Sequence, residues 1–144
     1  MRVTLERQNQ AVHFTATTGS GGTVQIDGAP TVGGQGLGAR PMELVLTALG
    51  SCSAIDVVSI LQKQRQPVEG FRVTVEGERE QGKEPSLFTD VHVRFEATGQ
   101  VDPAKMAEAV RLSMEKYCSV TRILEKTAKV TRSHAVLPSL PPRA

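Results

Sequence analysis

The chain has 144 residues, enough for one domain with a proper core, and 39% are hydrophobic against 22% charged. Together with 13 Gly, that mixture is ordinary for a globular protein and excludes a disordered or fibrous chain. Net charge is +2 from 17 basic and 15 acidic residues, and the basic ones are scattered from Arg2 to Arg143. With four Phe, one Tyr and no Trp, the chain lacks the charged footprint and stacking platforms of a nucleic-acid binder. The opening MRVTLERQNQ is too polar for a signal peptide, and no run reads as the ~20 apolar residues of a membrane span. A soluble cytoplasmic domain with no nucleic-acid or membrane partner is expected.

Short strands open the chain. Val3 and Leu5 alternate with polar neighbours, as do Val12, Phe14 and Ala16, then Val24 and Ile26. Asn9-Gln10 and Gly19-Ser20-Gly21-Gly22 mark the turns between them. A Gly-rich stretch ends at Pro41, a good first helical residue. From Met42 to about Gln64, apolar residues including Leu44, Leu49, Ile55, Val58 and Leu61 fall on nearly every side, the pattern of a helix wrapped by other elements. At its middle Gly50-Ser51-Cys52-Ser53-Ala54 forms a patch of small residues, which predicts close approach by another element.

Phe71, Val73 and Val75, then Val91, Val93, Phe95 and Ala97, alternate with polar residues and predict two antiparallel strands joined around Gly82. Asp102-Pro103 starts a helix with buried positions at Met106, Val110, Met114 and Tyr117. Ser119 is the expected cap of a shorter helix, and a last strand runs from Val130 to Val136. Strands do not alternate with helices, so the fold class is α+β with antiparallel pairing. Residues 1–136 form the expected single domain, and the Pro-rich tail, 137–144, should be loose.

The two cysteines, Cys52 and Cys118, admit two readings. In one, a thiolate attacks a peroxide, becomes a sulfenic acid and condenses with a second thiol within disulfide reach. In the other, Cys52 is a small hydrophobe on a buried helix and Cys118 packs against Ile123 as a hydrophobic staple. A metal is not expected, because His13, His92 and His134 stand far apart and neither cysteine has a second ligand at finger-like spacing.

The segment PMELVLTALGSCSAIDVVSILQK (Pro41–Lys63), together with EKYCSVTRILEK (residues 115–126), resembles the OsmC/Ohr family, in wording closest to its YhfA-like subgroup. The order of elements is similar to that family's from Val3 to Val136. The resemblance implies an intertwined homodimer, with antiparallel sheets wrapped around long central helices. It implies thiol-dependent reduction of organic hydroperoxides to alcohols in stress defence, with no cofactor. Cys52 corresponds to the peroxide-attacking cysteine and Cys118 to the resolving one, with a dithiol such as a lipoylated protein as reductant. The alternative the resemblance leaves is a non-catalytic protein of the same fold that binds an apolar ligand or senses redox state.

Two family features fall differently here. The family's glutamate at the start of the central helix corresponds to Met42, with Glu43 one place later and about 100° around the helix. Nine residues of helix rise about 13.5 Å, so Glu43 as a catalytic group would have to act across the dimer; its other reading is a first-turn acid favoured by the helix dipole. The family's activating arginine has no counterpart between Gln8 and Ala39, which leaves Arg2, Arg7 and Arg40 as substitutes. Asp56, one turn after Cys52, is expected to be buried and paired with Lys116 or Arg122. Residues 33–38 are expected to form a flexible loop beside the site. His13 and His92 are expected to be solvated.

Overall fold

The computed structural model describes residues 1–143, which divide into two compact units, Met1–Val45 and the described residues from Leu46 onward. In the first, β1 (Val3–Arg7), β2 (Phe14–Thr18) and β3 (Thr23–Ile26) form an antiparallel sheet in that order. The register pairs Leu5 with Ala16 and Ala16 with Val24. Gly21 takes a positive φ of 88° in the β2–β3 turn, a conformation glycine adopts without strain.

The Gly-rich loop after β3 is not the flexible segment expected. Its anchor is Asp27, whose carboxylate accepts backbone N–H bonds from Gly28 (2.8 Å), Gln35 (2.8 Å) and Leu37 (3.0 Å). The side chain folds the loop onto itself through a short 3-10 turn, Pro30–Val32. The bonds from Leu37 and Gln35 hold the Asp27 carboxyl below its ordinary value. A lowered folded-state value means the contribution is complete above the unfolded value, near 3.9, and fades as pH falls through the folded one. The protection of the Gln35 and Leu37 amides against exchange, relative to the intrinsic rate at each pH, should therefore be high at neutral pH and fall in acid. In Asp27→Ala it should be low throughout; equal protection in both proteins would show that the carboxylate does not hold the loop.

α1 (Pro41–Lys63) starts one residue earlier than its sequence pattern. Glu43 reaches back to accept the Arg40 N–H at 2.8 Å, half of a capping box. At the far end Arg65 turns left-handed (φ 55°), and the Gln66 N–H bonds the Leu61 carbonyl at 2.9 Å. The expectation that α1 is wrapped on every side fails for the single chain. Only Leu49, Gly50, Ser53, Val57 and Leu61 are buried, one stripe at helical spacing, whereas Ile55 is 70% exposed. By length and composition α1 is also apolar enough to cross a bilayer, contrary to the sequence reading, with mean hydropathy 2.0 over its most apolar stretch.

The second unit holds a second sheet: β4 (Val68–Arg79), β5 (Phe88–Gly99) and β6 (Lys129–Leu137). β4 and β5 pair antiparallel, as expected, with Val73 opposite Phe95. β5 and β6 pair parallel, which the antiparallel expectation missed. The intervening α2 (Pro103–Leu112) and α3 (Ser119–Leu124) supply the crossover that a parallel pair requires. Phe95, Val91 and Val93 of the sheet, Leu49, Val57 and Leu61 of α1, and Met106 and Val110 of α2 are all fully buried. The predicted close approach at the small-residue patch is present: a Cβ at Gly50 would stand 3.0 Å from the Val75 side chain. The Pro-rich end returns to β4, where Arg72 donates to the Pro141 carbonyl.

Candidate two-cysteine site

α2 carries the cap foreseen for it, with the Asp102 carboxylate accepting the Ala104 N–H at 2.8 Å. Its α-helical period does not persist to Tyr117. Residues Ser113–Tyr117 form a π turn, closed by the Cys118 N–H on the Ser113 carbonyl at 2.8 Å. The wider turn takes Tyr117 off the buried stripe, leaving it 50% exposed rather than in the core. It also aims the following residue, Cys118, inward: that side chain is 1% exposed.

Cys118, not Ser119, caps α3. Its sulfur accepts the Thr121 N–H at 3.5 Å. The staple reading fails because Ile123 is 66% exposed. Burial pushes the Cys118 thiol above its ordinary value; hydrogen bonding with Thr121 opposes that shift, and the neighbouring Cys52 adds to it.

Cys52 stands mid-way along α1, half-buried. Its sulfur, the Cys118 sulfur and a carboxylate oxygen of Asp56 all lie within 4.8 Å of one another. Two residues 66 positions apart thus bring their sulfurs within 4.8 Å of each other. Asp56 follows Cys52 by one helical turn and shares its face. Its expected cation is not there. Arg122 instead bonds Glu125 (2.8 Å) and the Met114 carbonyl (2.8 Å), while Lys116 lies over the Tyr117 ring at 5.2 Å. Asp56 accepts a hydrogen bond from Ser113 Oγ at 3.0 Å, and that hydroxyl also reaches the Ser53 carbonyl at 3.3 Å.

Ser113 is the residue the sequence reading missed. A small polar side chain on the buried side of α2's stripe was the available signal. Metal ligation was set aside for want of a second ligand, but Asp56 supplies an oxygen donor to the two sulfurs, and the three residues could together hold a metal ion. Asp56 also lines a cavity of about 540 Å³ with Ile60, Lys63, Gln64, Leu112 and Tyr117. Glu43 lies in the other compact unit, where its carboxylate caps α1. His92 is not simply solvated, because both ring nitrogens bond β6 hydroxyls, Thr131 and Ser133, at 2.8 Å. His13 likewise bonds Gln25 at 2.7 Å.

The sequence model of the OsmC-like protein family matches residues 34–133, a stretch that includes both cysteines. Protein YhfA of Escherichia coli strain K12 is 51% identical over 98 residues, covering 67% of this chain and 72% of that one. A crystal structure of a hypothetical protein from Aquifex aeolicus VF5 superposes with a TM-score of 0.77 at 32% identity, over 94% of this chain and 96% of the other. The organic hydroperoxide resistance protein OhrB of Bacillus subtilis superposes with a TM-score of 0.64 over 93% of this chain and 96% of its own, at 16% identity, a likeness of fold. By the reach of the family match and the identity to YhfA, this mixed α+β chain with its two adjacent thiols belongs to the OsmC-like protein family.

Proposed function

We propose that the protein reduces organic hydroperoxides with its two thiols, as a cytoplasmic enzyme of oxidative stress defence. The observation that carries this reading is the approach of the two sulfurs within 4.8 Å, one half-buried and one fully buried. Cys52, the more accessible, attacks as thiolate. Its sulfur bonds to the terminal peroxide oxygen, the O–O bond breaks, and the alkoxide takes a proton to leave as ROH. Cys118, whose thiol burial holds above its ordinary value, then attacks the sulfenic sulfur, and its proton leaves with the hydroxyl. The S–S bond forms and water leaves. A dithiol reopens the disulfide by exchange and is itself oxidised. The cavity that Asp56 borders has Ile60, Leu112 and Tyr117 among its otherwise polar lining, which offers an alkyl group apolar contacts on the Asp56 side of the site.

The test is consumption of cumene hydroperoxide by the reduced protein with a dithiol, against the same mixture without protein. Rapid, saturable turnover is expected. The exposed apolar side of α1 favours the second reading, a binding protein of the same fold, which a rate no faster than the protein-free mixture would select.

That face also supports a homodimer. Ile55 is 70% exposed and borders a shallow apolar cleft with Ala54 and Val58. Covering it with a second copy of α1 gives the all-round burial that the helix's sequence predicts, and in such a dimer Glu43 would serve its partner's Cys52. Ile55→Asp should convert a dimer to a folded monomer, read by sedimentation and circular dichroism. A wild-type monomer, or an unchanged dimer in the variant, would remove this face from the interface.

A further inference from the structure

We propose that the reduced protein binds one divalent zinc-class ion through Cys52 Sγ, Cys118 Sγ and the Asp56 carboxylate, leaving a fourth position open. The three donors already lie within 4.8 Å of one another. Around a tetrahedral zinc, sulfur and oxygen donors stand about 3.5–3.8 Å apart. Closing the set therefore takes shifts of the donor atoms on the order of 1 Å. Two thiolates and one carboxylate form a soft-to-borderline donor set, suited to zinc rather than to magnesium or calcium.

Two further observations point to a cation here. Asp56 is half-buried beside two thiols, yet among the described residues no Lys, Arg or His nitrogen lies within 4.0 Å of its carboxylate. A bound cation would supply the opposite charge that the chain does not place beside this carboxylate. The ligands are also held from behind. Ser113 Oγ donates to Asp56, and the Thr121 N–H donates to Cys118. Such outer hydrogen bonds orient ligands for a metal.

Of the three donors, Asp56 borders a cavity, together with Lys63 and Gln64, from which an ion would meet the carboxylate first. On binding, each thiol loses its proton, so one ion enters and two protons leave. Three negative ligands and a divalent ion sum to a single negative charge, which the Lys63 ammonium on the same cavity offsets in part. The ion and the disulfide use the same sulfurs, so each state excludes the other: zinc would protect the thiols from oxidation, and oxidation would release zinc.

The experiment titrates the full chain, reduced and metal-free under anaerobic conditions, with Co²⁺ and then Zn²⁺. One Co²⁺ per chain is expected, with thiolate-to-cobalt charge-transfer absorption in the near ultraviolet that Zn²⁺ displaces. Cys52→Ser and Cys118→Ser should each lose about half of that absorption. Asp56→Asn should retain it but bind at least tenfold more weakly, and Ser113→Ala should weaken binding about 10–100-fold. No stoichiometric binding at micromolar metal by the wild-type chain would overturn the proposal, whatever the variants do; so would wild-type affinity in Asp56→Asn. Zinc binding without peroxide turnover would leave this proposal standing and remove the peroxidase reading, and the opposite pair of results would do the reverse.

Discussion

Cys52→Ser is expected to reduce dithiol-dependent consumption of cumene hydroperoxide by at least about 100-fold, because it removes the sulfur that accepts the peroxide oxygen. The hydroxyl that replaces it is far less nucleophilic and cannot form a disulfide. Cys118→Ser should behave differently. Its first turnover should proceed, leaving a sulfenic acid at Cys52 that dimedone traps, while the wild-type chain should close to a disulfide and give little adduct. The asymmetry follows from burial, since Cys118 is 1% exposed and its thiol is held above its ordinary value while Cys52 is the more open of the two. Sulfenic acid on Cys118 in a Cys52→Ser background would reverse the assigned roles. Equal rates in all three proteins would end the peroxidase reading.

The largest effect on stability is expected at Phe95. Its ring is wholly buried in the middle of β5, opposite Val73 on β4 and His134 on β6, with its centroid 6.4 Å from that of Phe71. Phe95→Ala should cost about 3–5 kcal/mol, combining lost transfer energy with the cavity left behind. Against a typical domain stability of about 5–15 kcal/mol, that is a large share, read as a lower urea midpoint with an unchanged slope. A change of about 1 kcal/mol or less would mean that the surrounding sheet collapses into the space.

Much of the architecture is written in local chemistry. The alternation at Phe71, Val73 and Val75 marks β4, and Asp102-Pro103 marks the start of α2. The run from Pro41 marks α1. The sequence also placed Cys52 at mid-helix and Cys118 beside a helix start, and noted that Asp56 shares a face with Cys52. What it misjudged depended on pairing between distant segments. Strand alternation does not reveal the direction of the partner strand, so the parallel β5–β6 pair was missed. Heptad-like spacing does not announce a π turn, so Tyr117 was placed inside and Ser119 was given the cap that belongs to Cys118.

The amino-acid sequence by itself thus determined the elements, their order and the two sulfurs, because propensity, capping and hydrophobic period act over a few residues. Only the tertiary structure decided which groups meet. It brought Cys118 to Cys52 across 66 residues and gave Asp56 the hydroxyl of Ser113 instead of a cation. It also left one side of α1 uncovered by its own chain. Those outcomes depend on how separate elements pack, and no local pattern encodes the distance between side chains that far apart in sequence.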